Sequence, residues 1–190
     1  MRPSKKDELV RKALNVFYRH GFHASGMDLV AKETGVSKTA IYNHFRTKDD
    51  LILAVIKLRD EEFRAWMVSR IETYGETPEE RLLAVFDAHA EWFAQKGFFG
   101  CLFIKACAEF QDPAHPVHQQ SCAHQAQGIA YYRSLAVAAG FADPDEIART
   151  IWFLAQGAIV AAVMAAIDNP AASARVAAAK MLACAERRSV

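Results

Sequence analysis

Residues 25–51 read SGMDLVAKETGVSKTAIYNHFRTKDDL, two short helical patterns on either side of a glycine. Residues 27–33 are predicted to form the first helix, with Val30 and Ala31 on its inner side. Thr34-Gly35-Val36 makes a tight turn: Gly35 accepts the left-handed backbone such a turn needs, and Val36 fills the angle between helices. Ser37 caps a second helix over 38–45, where Ala40, Ile41 and Phe45 recur at helical spacing and pack inward. Lys38, Thr39, Tyr42 and Asn43 are left on the outer side. This pattern predicts a helix-turn-helix. In that motif the second helix presents side chains near its N-terminus to base edges in the DNA major groove.

The flanking sequence carries the same helical grammar. Ser4-Lys5-Lys6-Asp7 has the form of a capping box, followed by an apolar stripe of Leu9, Ala13, Val16 and Phe17 up to Gly21. Thr77-Pro78-Glu79-Glu80 opens a helix expected to run to about residue 96. Asp143-Pro144-Asp145-Glu146 repeats the signal, and Asn169-Pro170 is a weaker third instance. No run of alternating β-branched residues suggests a sheet. The chain therefore reads as all-α with about nine helices, three short ones in residues 1–47 and longer ones, including one over 47–73, in residues 48–190.

With 190 residues and 52% apolar side chains, the chain is long and apolar enough to bury a core, and a disordered class is excluded. Its net charge of +1 conceals an asymmetry. Residues 1–48 hold ten Lys or Arg against four Asp or Glu, a net of +6; the remainder holds thirteen against eighteen, a net of −5. A basic head on an acidic body suits phosphate binding, which responds to local field. Four scattered cysteines without a C-x-x-C pair argue against a disulfide scaffold. The start, MRPSKKDELVRKAL, lacks the apolar core of a signal peptide, so a cytoplasmic location with reduced thiols is expected. Residues 147–167 have the length of a membrane span, but Arg149, Thr150, Gln156 and abundant alanine favour a buried helix and no membrane partner.

Gly35-Val36-Ser37, Ile41-Tyr42, His44-Phe45, Lys48 and Leu51 resemble the recognition segment of the TetR family of one-component repressors. The family pattern runs roughly I-A-x-x-A-G-V-S-x-G-x-L-Y-x-H-F-x-S-K-x-x-L. Here Val30-Ala31 stands for I-A, Thr34 for the alanine before the glycine, and Thr47 for the serine. Thr39 replaces the usual glycine, putting a hydroxyl and a methyl where relatives have bare backbone, which implies a different base preference. The resemblance implies residues 1–47 as the DNA-binding domain and 48–190 as a ligand-binding and dimerisation domain. It implies a homodimeric repressor on a palindromic operator in double-stranded DNA, released by a small hydrophobic or aromatic inducer, with no cofactor. By position, Ser25, Ser37, Lys38, Thr39 and Tyr42 would face DNA, Tyr42 and His44 would meet phosphates, and Lys48 would touch the backbone. Each has a plainer reading: Ser37 as a cap only, Tyr42 as a cover for the helix pair, Lys48 as a solvated charge.

In TetR-like proteins the last two helices of each chain form a four-helix bundle across the dyad. Gly157, Ala161 and Ala165 repeat every four residues, and Ala174, Ala177, Ala178 and Met181 offer a second smooth face, so these are the candidate dimer contacts. Packing within one subunit is the alternative. Large aromatics cluster in the middle of the chain, most of them simply core; Trp66, Phe86, Phe103, Tyr132 and Trp152 are the candidates to line a ligand cavity, with His89, Gln125 and Gln156 to orient the ligand. Gly100-Cys101-Leu102, followed by Lys105, resembles a segment found in a subset of TetR-like regulators, some of which sense electrophiles or oxidants through cysteine, so Cys101 is a candidate redox sensor; a buried inert thiol is the alternative. His115, His118 and Cys122 fall at i, i+3 and i+7, a spacing that suits zinc, but surface histidines near Asp112-Pro113 and His115-Pro116 explain them equally and no metal is assigned. No G-x-S-x-G elbow, H-E-x-x-H or phosphate-binding glycine loop occurs, so no enzymatic activity is expected.

Overall fold

A computed structural model describes residues 4–188. Among these the chain is all-α: α1 (Lys5–His20), α2 (Met27–Thr34), α3 (Lys38–His44), α4 (Lys48–Tyr74), α5 (Pro78–Phe93), α6 (Leu102–Glu109), α7 (Pro116–Ala138), α8 (Pro144–Met164) and α9 (Pro170–Cys184). An isolated antiparallel bridge joins Phe141 to Arg187.

The helices begin where the caps place them. Ser4 and Asp7 form a reciprocal box at α1, and Thr77 and Glu80 do the same at α5. Asp143 accepts the Glu146 amide at 2.9 Å to open α8. A further box opens α4: the Asp50 amide donates to Thr47 Oγ1 at 3.1 Å and the Thr47 amide to Asp50 Oδ2 at 2.9 Å. The third predicted cap differs. Asn169 sits in the left-handed region with φ 48° and its side chain caps nothing, so α9 starts on Pro170 alone. α5 stops at Phe93 rather than near 96, and α8 stops at Met164, where Ala165 turns left-handed with φ 48°.

The packing divides the chain into two units. The first runs up to Phe63 and includes Cys101–His124. Its core holds Leu9, Ala13, Val16 and Phe17 of α1, Val30 of α2, Ile41 of α3, Leu51, Ile52, Val55 and Ile56 of α4, and Leu102, Phe103 and Ala106 of α6. The expected boundary after residue 47 falls inside this unit, because the apolar face of early α4 and the short helix α6 share its core.

The second unit comprises Arg64–Gly100 and the chain from Gln125 onward. Here α5, α8 and α9 pack on one another. Alanines at buried positions 155 and 158 of α8 and 171, 174 and 178 of α9 let the backbones approach closely. α8 has the length and composition of a membrane-crossing helix, with a mean hydropathy of 1.6 over its most apolar window, of which 33% is buried. The expectation of a buried helix therefore holds for one face only. Ile147, Ile151, Ala155 and Ile159 point inward, whereas Phe153 is 65% and Met164 70% exposed, with Val160 and Val163 also outside.

Candidate functional site

α2 ends at Gly35, whose φ of 69° places it in the left-handed region. A side chain there would meet nothing within 4 Å, so the backbone angle, not space, calls for glycine. Thr34 is buried; its hydroxyl donates to the Val30 carbonyl at 2.7 Å and tightens the turn. Ser37 Oγ accepts the Ala40 amide at 3.2 Å and opens α3. Ile41 and Phe45 are buried beneath, and Lys38, Thr39, Tyr42, Asn43 and His44 are exposed, Tyr42 by 47%. The polar face predicted for the second helix is thus present on α3. Lys38 pairs with Asp28 at 2.6 Å, and the half-buried Lys48 donates to the His23 carbonyl at 3.4 Å.

Ser25 departs from the expectation that it faces DNA. It is fully buried, and its hydroxyl donates to the Gly21 carbonyl at 2.6 Å, closing the loop between α1 and α2. That loop has a second support that sequence reasoning missed. Glu109, at the end of α6, accepts the backbone amides of Phe22 at 3.0 Å and His23 at 2.5 Å. Gly21 has φ 84°, and a Cβ there would lie 3.1 Å from the same carboxylate. On the preceding turn of α6, Lys105 donates to the Tyr18 carbonyl at 3.1 Å and lies over its ring; burial lowers its pKa. The Phe110 ring packs edge-on against Phe22 at 5.7 Å. No local pattern marks Glu109, since its partners lie some 86 residues earlier.

The residues predicted to line a ligand cavity fall in both units and are described unit by unit. Phe103 belongs to the first unit, where it stacks on His124 at 3.5 Å; His124 in turn contacts buried Asp60 at 2.7 Å. The other seven lie in the second unit. Trp152 Nε1 and Gln156 Nε2 both donate to Gln125 Oε1, at 2.9 and 3.2 Å. His89 is buried, donates to the Val85 carbonyl at 2.6 Å and packs against Trp92 and Phe93. Burial pulls its pKa down to about 4, so the ring is neutral. Phe86 and Tyr132 are buried and Trp66 is half-buried; burial pushes the Tyr132 phenol up. Clefts of ≈390, ≈340 and ≈280 Å³ are lined by other residues, the largest by Phe141, Ile147 and Met181 among them. Next to Tyr132 in the chain, the Tyr131 hydroxyl is buried without a hydrogen-bond partner, a polar group that sequence reasoning did not single out.

Of the predicted dimer contacts, Gly157, Ala165 and Ala177 are exposed and Ala161 and Met181 half-buried. Ala174 and Ala178 are corrected: at 8% and 0% exposure they are packed inside their own subunit, on the side of α9 that meets α5 and α8. The outward apolar surface is instead Phe153, Val160, Val163 and Met164 of α8, Ile167, and Val176 of α9.

Cys101, the N-cap of α6, is buried, with 7% exposure. The histidines and cysteine noted for their spacing do not all meet. His115 contacts Asp49 at 3.3 Å and stacks on Phe110, while Cys107 of α6 joins His118 and Cys122. Burial, then the neighbouring Cys122, pushes the Cys107 thiol up to about 11.

Comparison with known proteins agrees with this architecture. Residues 9–55 match the family model described as "Bacterial regulatory proteins, tetR family", and residues 78–179 match "Tetracyclin repressor-like, C-terminal domain". A TetR-family transcriptional regulator from Streptomyces coelicolor superposes with a TM-score of 0.84 at 29% identity, over 93% of each chain. A regulator from Streptomyces avermitilis superposes at 0.84 and 30%, over 98% of this chain and 100% of that one. The Escherichia coli HTH-type transcriptional regulator YjdC is 21% identical over 82% of this chain and 81% of its own length. The exposed recognition face, the all-helical body and these matches agree: the chain belongs to the tetR family of bacterial regulatory proteins, DNA-binding transcriptional regulators rather than enzymes.

Proposed function

We propose that this regulator is a cytoplasmic homodimeric repressor that holds a palindromic operator and is released by a small apolar or aromatic inducer. The observation that carries the reading is the exposed face of α3, with Lys38, Thr39 and Tyr42 side by side on a segment of net charge +6. Ser37, Thr39 and the N-terminal turn of α3 meet base edges; Lys38, Tyr42, His44 and Lys48 meet phosphates. Lys38 exchanges Asp28 for a phosphate on binding, since both groups are solvent-exposed. One recognition helix reads few base pairs, so two copies bind half-sites about one helical turn, ~34–36 Å, apart. The exposed face of Phe153, Val160, Met164 and Val176 joins the copies, because this much clustered apolar surface is otherwise left in water. The aromatic body around Trp66, Phe86, Tyr132 and Trp152 receives the inducer, with Gln125, Gln156 and the buried Tyr131 hydroxyl as polar anchors. Inducer favours a dimer whose recognition helices are wrongly spaced, through movement of α4, to the extent that it binds the two states unequally.

The test is fluorescence anisotropy with DNA from upstream of the chain's own coding sequence, over a salt series. Lys48→Ala weakens binding to all sequences and lowers the slope of log K against log salt by about one. An unchanged affinity and slope would show that Lys48 does not touch DNA. No retention of any palindromic duplex at low salt would remove the operator reading altogether.

A further inference from the structure

α7 places His118 and Cys122 four residues apart, hence one turn apart on one face, and α6 brings Cys107 to the same point. One ring nitrogen of His118 and the two sulfurs all lie within 4.8 Å of one another. His118 Nδ1–H donates to the Phe110 carbonyl at 2.7 Å. A carbonyl can only accept, so this bond fixes the proton on Nδ1 and leaves the Nε2 lone pair for a ligand, the outer-shell arrangement common to metal-binding histidines. We propose that Cys107, His118 and Cys122 form a binding site for one thiophilic closed-shell cation, Zn²⁺ or Cu⁺.

The donor set decides the class. Two thiolates and one imidazole suit soft or borderline cations and disfavour Mg²⁺ and Ca²⁺, which take oxygen ligands. Three protein ligands complete a trigonal site for Cu⁺ and leave Zn²⁺ a fourth position for water. On binding, each thiol gives its proton to solvent and its sulfur lone pair to the cation. Cys122 is exposed and the other two ligands are half-buried, so the cation enters and leaves without unfolding. This suits a site whose occupancy follows the free cation concentration more than a closed structural centre. Cys107 shares α6 with Glu109, which accepts the amides of Phe22 and His23 in the loop between α1 and α2.

The experiment uses the reduced full-length protein under anaerobic conditions, titrated with ZnCl₂ and, separately, with Cu⁺ as its acetonitrile complex, each against a chromophoric chelator. Co²⁺ substitution supplies a spectroscopic check, since thiolate ligation gives a sulfur-to-cobalt charge-transfer band. One equivalent of Zn²⁺ or Cu⁺ binds to the parent and to Cys184→Ser, whose thiol lies outside the trio. Cys122→Ser and His118→Gln bind at least tenfold more weakly, and at saturating Co²⁺ Cys122→Ser keeps roughly half of the charge-transfer intensity, from Cys107, whereas His118→Gln keeps nearly all of it. Cys122 is exposed, so its serine variant folds, as circular dichroism will verify. Parent protein that fails to compete with the chelator for either cation, or a Cys122→Ser variant that binds as tightly as the parent, overturns the proposal.

Discussion

Replacing Glu109 with alanine removes the carboxylate that closes the loop between α1 and α2. Its two oxygens accept the Phe22 amide at 3.0 Å and the His23 amide at 2.5 Å. Hydrogen bonds to a charged group contribute ~1.5–3 kcal/mol each. The Phe22 bond is part-buried and counts nearly in full, while the His23 bond is exposed and is discounted because water replaces it. The sum is about 2–4 kcal/mol, lost from a region that also holds Lys48 at the His23 carbonyl. For a chain of this length, 1 kcal/mol moves the melting midpoint by roughly 2–4 °C, so Glu109→Ala melts roughly 4–16 °C below the parent. Glu109→Gln keeps one acceptor oxygen but turns an NH₂ toward the other amide, and recovers about half of the loss. The assay is thermal and urea unfolding followed by circular dichroism, at equal protomer concentration because dimerisation makes the midpoint concentration-dependent. If both variants unfold within about 0.5 kcal/mol of the parent, the range of an ordinary surface change, Glu109 does not hold the loop.

Three further outcomes follow from the geometry. Burial lowers the folded pKa of His89 to about 4 from its ordinary 6.5; the unfolded chain then binds the extra proton, so stability is full above pH 6.5 and falls as pH drops toward 4, by up to about 3 kcal/mol. His89→Leu removes that slope, and pH-dependent urea midpoints that match the parent's would refute it. Gly75→Ala is the more damaging of two glycine changes: its Cβ would lie 2.6 Å from the Arg81 backbone nitrogen, which cannot move aside, whereas Gly35→Ala meets open space and bears only the ~1–2 kcal/mol of a left-handed backbone. Equal losses in urea unfolding would contradict that ranking. Val160→Asp, on the exposed apolar face of α8, converts the dimer to monomer in light scattering without loss of helicity; a dimer that persists places the interface elsewhere.

Helical period and caps are local, and the sequence reading succeeds where burial is decided locally. Val30, Ile41 and Phe45 fall inside because they follow the 3.6-residue spacing of short helices, and Ser37, Thr77 and Asp143 cap because each precedes a helix and bonds three residues on. It fails where a residue's partner is distant. Ala174 and Ala177 are chemically identical, so only the positions of α5 and α8 decide that one is buried and the other exposed. Ser25 is a miss of another kind: its partner, the Gly21 carbonyl, is only four residues back, but the bend of the loop that joins them is not marked by the residues between. Cys107 meets His118 and Cys122 across the Asp112-Pro113 break, while His115, which shares their spacing, is drawn to Asp49 and Phe110. The pair one turn apart on α7 was visible in the sequence; the third ligand was not.

The bond from Glu109 to the loop after α1 has a consequence for hybrid regulators. A recognition segment transplanted after residue 47 leaves behind the carboxylate that orders its own loop, and takes whatever group the new body offers in that place. A working graft must carry Cys101–His124 with it, so the part that names the DNA address and the part proposed to sense a cation would travel as a single cassette.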